Sequence, residues 1–128
     1  MGNTQSSSDS MGVCLTMSNK ILITLIESDV SPRFDLTTEV LITSLREDGS
    51  IGENKTMVLA HESAEDLCQL ILNEDVNVVI CGGIEEEFYD YLIWKKVRVL
   101  DSVMGPWERA IDRFRSGDLE AGAILYDR

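Results

Sequence analysis

The stretch VVICGGIEEEFYDYL, residues 78–92, contains groups that could hold an anion or a soft metal ion. An apolar run ends at Cys81, and Gly82 and Gly83 follow it before a run of three glutamates. A strand that leads through a glycine turn into a helix N-terminus can bind an anion with its backbone N–H groups. The same N–H groups lower the pKa of a nearby thiol, so Cys81 could act as a thiolate ligand at the lip of the loop.

Each of these residues also has a purely structural interpretation. Cysteine is commonly a small buried hydrophobe, which would place Cys81 in the core. Gly82 and Gly83 could form a plain turn in which glycine supplies positive φ angles. Glutamates at a helix start interact favourably with the helix dipole from a solvated face. The pattern is neither GxGxxG nor a Walker A loop, so it does not indicate a nucleotide site, and the residues alone leave both interpretations open.

Two further candidates are Arg33 and His61, which stand in a strongly acidic chain. The 128 residues include 23 acidic and 11 basic side chains, a formal net charge of −12. This balance disfavours nucleic acid and anionic membranes as partners, because both need a basic surface. It also makes a local basic spot such as Arg33 more significant. His61 is the single histidine, and it is more typical of a surface or capping residue than of a ligand, while a catalytic pair with a distant cysteine has no support in the sequence.

The cysteines indicate free thiols rather than disulfides or a zinc site. Cys14, Cys68 and Cys81 form an odd number without a CxxC pair, and one histidine does not complete a four-ligand zinc site. Free thiols are typical of a reducing cytoplasm. The longest apolar run is too short for a transmembrane helix and the start does not resemble a secretory signal, so we expect a cytoplasmic protein.

The hydrophobic pattern predicts a single domain over residues 20–128, preceded by a disordered polar tail over residues 1–19. A near-continuous, β-branched apolar run predicts a buried strand over residues 20–27. Strands over residues 38–45 and 50–60 follow, joined by a turn at Asp48–Gly49.

The second half of the chain alternates helices with short strands. A capping pattern at Ser63 predicts a first helix, whose apolar stripe includes Cys68. A second helix is predicted from Ile84, and a third from Pro106 at its first position, ending at Gly117. Two short strands are predicted in addition, over residues 76–83 and 97–100. The order β-β-β-α-β-α-β-α indicates an α/β fold, a mixed sheet with helices covering its faces.

Ligands in such a sheet bind outside the carboxyl ends of the parallel strands. Three loops are predicted to meet there: residues 27–35, residues 81–83 and residues 101–105. The loop around His61 is predicted to lie at the other end of a crossover, although its tip could reach the same edge if the third strand is antiparallel to the first. A metal-dependent nuclease is disfavoured, because the first strand has no carboxylate in its middle and the net charge offers no path for phosphates.

Three segments together resemble the dinitrogenase iron–molybdenum cofactor biosynthesis family, the small cofactor carriers and their stand-alone relatives. They are SPRFDLTTEVLI, VVICGGIEEEFYDYL and DSVMGPWERAIDRFRSGDL, within residues 20–119. The resemblance is carried by an R-F motif in residues 31–34, a V-I-x-G-x-I turn in residues 79–84 and a closing G-x-L in residues 117–119. The chain departs from the family in LAHESAED, which has one histidine and no glycine where many members carry a glycine- and histidine-rich loop.

The resemblance implies a ribonuclease H-like fold with a five-stranded mixed β-sheet flanked by three helices. It implies non-covalent binding of an anionic metal–sulfur cluster, the iron–molybdenum cofactor or a precursor, by a bacterial or archaeal protein that is not an enzyme. Expected partners are nitrogenase-assembly or iron–sulfur-assembly proteins. The alternative is a ligand-free regulatory or protein-interaction domain that uses its acidic surface. The expected site has Cys81 as the metal ligand and includes Ser31, Arg33, Phe34, His61, Gly82 and Gly83.

Overall fold

The computed structural model describes residues 19–46 and 50–125. The predicted tail therefore lies outside the described residues, except for Asn19, which begins the first strand. The predicted turn at Asp48–Gly49 also lies outside the described residues. The strands are β1 (Asn19–Ile26), β2 (Asp29–Val30), β3 (Glu39–Leu45), β4 (Ile51–Val58), β5 (Val78–Ile80) and β6 (Arg98–Leu100), and the helices are α1 (Ala64–Asn73), α2 (Glu86–Trp94) and α3 (Trp107–Arg115).

The sheet is mixed, with strand order β4-β3-β1-β5-β6 and with β2 paired to the end of β1. β1 pairs with β5 in parallel and with β3 antiparallel, β3 pairs with β4 antiparallel, and β5 pairs with β6 in parallel. The predicted α/β class and the three helices are confirmed. The ribonuclease H-like description stays a prediction.

The predicted count of five strands is wrong, because the described residues form six. β2 folds back on β1 through Glu27 and Ser28, and pairs Leu25 with Val30 and Ile26 with Asp29. Glu27 makes this tight turn with a φ of 55°. A strand of two residues is too short to show a period of apolar residues, so the sequence predicts only a loop over residues 27–35.

β1 is apolar along its length because it is covered on both faces. Ile21 and Ile23 belong to one hydrophobic core together with two residues of α3, Ala110 and Ile111. Leu22 faces the opposite core, which is formed with α1 and α2. Helices on both faces thus enclose the parallel half of the sheet, as the βαβ pattern predicted.

The helix ends follow the local sequence closely. The hydroxyl of Ser63 accepts a hydrogen bond from the N–H of Asp66 at 3.1 Å, which is the predicted cap of α1. Pro106 precedes α3 as its cap residue rather than as its first helical residue, and its carbonyl accepts the N–H of Ala110. Gly117 ends α3 with a φ of 79°, as expected of a residue that adopts the left-handed region without steric cost.

Thr24 is the one feature of β1 that packing alone does not explain. It lies opposite Val40, which belongs to the core beneath α1 and α2, so its side chain faces that core. The residue is completely buried, and its Oγ1 has no hydrogen-bond partner among the described residues. Thr43 on β3 is also buried, but its hydroxyl donates to the side-chain carbonyl of Asn54. An unpaired buried hydroxyl costs free energy that a paired one does not.

We expect Thr24→Val to raise the free energy of unfolding by about 1 kcal/mol, because valine keeps the shape and removes an unsatisfied hydroxyl. Thr43→Val is the matched control and should lower it by about 1 kcal/mol, because it deletes a made hydrogen bond. Urea unfolding of both variants measures the difference. A free energy of unfolding that is lower for Thr24→Val than for the wild-type chain would show that the hydroxyl of Thr24 is satisfied in solution.

Candidate functional site

The three loops that were predicted to meet do lie together at the carboxyl edge of the parallel strands. The N–H of Gly83 donates to the carbonyl of Pro32 at 2.8 Å, and the N–H of Phe34 donates back to the carbonyl of Gly83 at 2.8 Å. The N–H of Ser102 donates to the carbonyl of Gly82 at 2.9 Å. Backbone hydrogen bonds therefore join the loop after β1 to the loop after β5, and that loop to the one after β6.

The loop of His61 lies at this same edge, so the prediction that it lies at the other end is wrong. β3 is antiparallel to both β1 and β4, so β4 runs parallel to β1. Val58 at the end of β4 is opposite Glu39, which is opposite Leu25 near the end of β1. The side chain of His61 is 69% exposed, and its Nε2 lies 3.3 Å from the Asp66 carboxylate. Its partner is thus the first turn of α1 rather than the glycine loop.

Gly82 is required by a close backbone contact. A Cβ on Gly82 would lie 2.4 Å from the carbonyl oxygen of Ser31 and 2.6 Å from the Cα of Pro32. Neither Gly82 nor Gly83 has a positive φ, so the expectation that glycine supplies positive φ angles here is wrong. The absent side chain makes room for the chain's own loop, which packs directly against the glycine.

Gly83 is exposed, and both of its backbone polar groups are engaged with the loop after β1. Its N–H reaches Pro32 and its carbonyl receives Phe34, which gives an isolated parallel bridge between Arg33 and Gly83. An anion could use the N–H of Gly83 only by displacing Pro32. Gly83 therefore positions the site, and its N–H is not a free donor.

Cys81 lies in the core and not at the lip of the loop. It is 0% exposed and shares a hydrophobic cluster with Leu22 and Phe34 beneath α1 and α2. Burial, with a smaller contribution from Asp101, raises the pKa of the Cys81 thiol to about 12. The thiol is therefore protonated at neutral pH, because desolvation disfavours the thiolate more strongly than nearby amides favour it. Its role as a metal ligand stays a prediction and requires that the thiol become accessible.

Arg33 presents a charge that is already paired. Its Nε and Nη2 donate to the two carboxylate oxygens of Asp35 at 3.0 and 2.7 Å, and its side chain is 58% exposed. This pair raises the pKa of Arg33 and lowers the pKa of Asp35, chiefly through the hydrogen bonds, and Glu85 adds a further negative charge near Arg33. The pair is exposed and therefore screened by solvent, but a competing anion would have to displace Asp35 from both of its hydrogen bonds to Arg33.

Ser31 and Phe34 are buried and hold the loop in place, and they do not form its exposed surface. The hydroxyl of Ser31 donates to the carbonyl of Arg33 at 3.2 Å, and the hydroxyl of Thr37 donates to the same carbonyl at 2.7 Å. Phe34 is 1% exposed, and its ring packs against Phe88 of α2 with the ring centres 6.4 Å apart. The loop is thus held at both ends of the R-F motif, with Arg33 directed outward between two anchors.

The sequence interpretation missed Asp35, Thr37 and Pro32, which hold Arg33 and Gly83 in place. Asp35 could have been found from the sequence, because a carboxylate two positions after an arginine can pair with it. The backbone carbonyl of Pro32 leaves no such signal in the sequence. Among the described residues, no three His, Cys, Asp or Glu side chains are close enough to form a metal site. Within the same ranges, every helix is too short or too polar to cross a membrane.

We expect Gly82→Ala to lower the free energy of unfolding by about 3 kcal/mol or more, because the new Cβ overlaps the backbone of Ser31 and Pro32. Gly83→Ala is the control: its Cβ would meet the carbonyl oxygen of Pro32 at 3.3 Å, and the cost should stay below about 1 kcal/mol. Thermal and urea unfolding measure both. Similar costs for the two variants would mean that the loop moves aside easily.

We expect the Cys81 thiol to react with iodoacetamide at pH 8 at least about a hundredfold more slowly in the folded chain than in the unfolded chain, because the thiol is completely buried and its raised pKa leaves little thiolate. Peptide mass spectrometry after timed labelling, with and without 6 M guanidinium, measures the ratio. Cys68 is an internal comparison, since burial and Glu65 raise its pKa to about 11. Labelling of Cys81 in the folded chain at the unfolded rate would show that the thiol is open to solvent.

The chain can be compared with known proteins on this basis. The sequence matches no curated protein. A protein named PH0822 has a similar fold, with a TM-score of 0.73, 19% identity, and coverage of 84% of this chain and 96% of the other. The apo form of the orange protein from Desulfovibrio gigas gives a TM-score of 0.65 at 16% identity, and coverage of 84% and 95%.

A protein of Methanocaldococcus jannaschii, described as a candidate dinitrogenase, is similar at 25% identity with a TM-score of 0.67. The match covers 81% of this chain and 94% of that protein. The sequence profile of the family described as "Dinitrogenase iron-molybdenum cofactor" matches residues 17–117. That match spans every element of the sheet and all three helices, and the chain therefore belongs to the dinitrogenase iron–molybdenum cofactor family.

Proposed function

We propose that the chain binds, and carries or stores, an anionic metal–sulfur cluster of the iron–molybdenum cofactor type. The observation that carries this proposal is the family match over residues 17–117. The position of four loops at the carboxyl edge of the parallel strands supports it, because α/β sheets bind ligands there. The proposed fold type is ribonuclease H-like, and the proposed role is binding rather than catalysis.

The first contacts proposed for the cluster are non-covalent. A sulfide-rich cluster is a large, soft anion, and Arg33 offers an exposed guanidinium once Asp35 releases it. The first turn of α2 lies next to the glycine loop, and the side chain of its cap residue, Glu85, makes no capping hydrogen bond. Backbone N–H groups of a first helical turn are unsatisfied donors that attract an anion.

Cys81 and His61 enter the proposal with different requirements. Cys81 would contact the cluster only if the loop of residues 31–36 moved and the thiol lost its proton. His61 is exposed at the same edge and would need to leave Asp66. A site without a ready set of metal ligands holds its cargo weakly, which suits a protein that receives and releases a cluster. Nitrogenase-assembly or iron–sulfur-assembly proteins in a prokaryotic cytoplasm are the proposed donors and recipients.

The experiment that tests the proposal is anaerobic incubation with isolated iron–molybdenum cofactor, and separately with tetrathiomolybdate, followed by gel filtration and molybdenum analysis. We expect the wild-type chain to retain molybdenum in a defined ratio. Arg33→Ala should lower the retained amount by about fivefold or more, because it removes the exposed cation from the edge.

Arg113→Ala is the matched control, because it removes the same charge from the exposed face of α3. It should retain the wild-type amount of molybdenum. If both arginine variants lose the same amount, binding follows net charge and the proposed site is wrong. If the wild-type chain retains no molybdenum from either probe, the proposed function is wrong.

A further inference from the structure

A groove of about 350 Å³ lies between α1 and α2. Its apolar part is formed by the half-buried rings of Phe88 and Tyr91 together with buried Cys68. The groove has carboxylates from both helices along its sides. Its lining residues are Glu65, Asp66, Cys68, Gln69, Glu87, Phe88 and Tyr91.

The charge of the groove is negative on both sides. Glu65 and Asp66 approach from α1 and Glu87 from α2, and no lysine or arginine is among the described residues that line it. His61 pairs with Asp66 at one end. The Nζ of Lys95 lies 4.8 Å from the centre of the Trp94 ring and 5.8 Å from the centre of the Tyr91 ring. This cation is therefore held chiefly by Trp94, with Tyr91 at the limit of its reach.

We propose that this groove binds a lysine or arginine side chain presented by a basic, amphipathic segment of a partner protein. Aromatic faces attract cations, and carboxylates on two sides give charge-assisted hydrogen bonds to the same group. Arginine fits best, because its planar guanidinium stacks on a ring while its edge meets a carboxylate. The apolar stem of the side chain covers Phe88, as long basic side chains do on apolar surfaces.

Two other occupants fit less well. A metal ion is disfavoured because the described residues provide no group of three metal-binding side chains. A second copy of this chain is disfavoured because each copy has a net charge of −12, and like charges across an interface oppose association. A basic partner meets both the sign of the groove and the acidity of the whole surface.

The groove is connected to the loop edge through one aromatic contact. Phe88 lines the groove and packs against Phe34 of the loop at a ring separation of 6.4 Å. A partner in the groove would therefore lie beside the loop that carries Arg33. The groove shares Glu87 and Phe88 with the first turn of α2, whose backbone N–H groups are proposed to contact a cluster, but it would hold a cation through the side chains of these residues. A basic peptide and a molybdenum probe therefore test the two proposals separately.

The test uses a short helical peptide with two arginines four residues apart on an otherwise alanine–leucine face. We expect ¹⁵N-labelled protein to show shift changes that are confined to α1, α2 and the adjacent loop. A peptide with citrulline in place of arginine keeps the shape and loses the charge, and it should bind at least tenfold more weakly. Added salt should weaken the binding of the arginine peptide, because exposed ion pairs are screened.

The matched variants separate the groove from overall charge. The double variant Glu65→Gln with Glu87→Gln should lower the affinity for the arginine peptide by tenfold or more. Asp118→Asn with Glu120→Gln removes the same charge from exposed positions after α3, and it should change the affinity by less than twofold. Circular dichroism confirms that both double variants are folded. Equal losses in the two double variants, shift changes elsewhere, or equal binding of the citrulline peptide would each overturn the proposal.

Discussion

The edge of this sheet depends on a contact between two stretches of backbone. Gly82 lets the carbonyl of Ser31 and the Cα of Pro32 approach to distances that no side chain allows. That approach sets the pair of hydrogen bonds between Gly83 and the chain around Arg33. Once those bonds form, Phe34 is directed into the core against Phe88, and Arg33 points outward between them. The arrangement of Arg33 and Phe34 at this edge follows from the absence of one methyl group at Gly82.

The sequence predicts the helices and the central strands well because their signals are local and repeated. Ser63, Pro106 and Gly117 mark helix ends through chemistry that acts within one turn. β2 was missed because two residues carry no period, and the placement of His61 was wrong because it depends on the direction of β4, which a hydrophobic pattern does not encode. Strand direction follows from the pairing of distant residues.

The candidate site was predictable in its location and not in its chemistry. Loops after parallel strands meet by topology, so Arg33, Gly82 and Gly83 were expected to lie together. The state of Cys81 depends on how much of the thiol is removed from water, and that depends on the packing of Phe34 and α1. Desolvation determines the protonation state of Cys81, because it raises the thiol pKa to about 12, whereas a helix N-terminus alone would lower that pKa.

The bridge between Arg33 and Gly83 has a consequence for the order in which the molecule assembles. The two residues are roughly fifty positions apart, but β1 and β5 are paired as far as Ile23 and Ile80. With that ladder in place the bridge closes only the short segments that follow each strand, at a smaller cost in chain entropy. Pairing of β1 with β5 therefore favours formation of the edge. The same reasoning makes the edge the least cooperative part of the parallel half, so hydrogen exchange should reach its amides through local opening while the β1–β5 ladder remains closed.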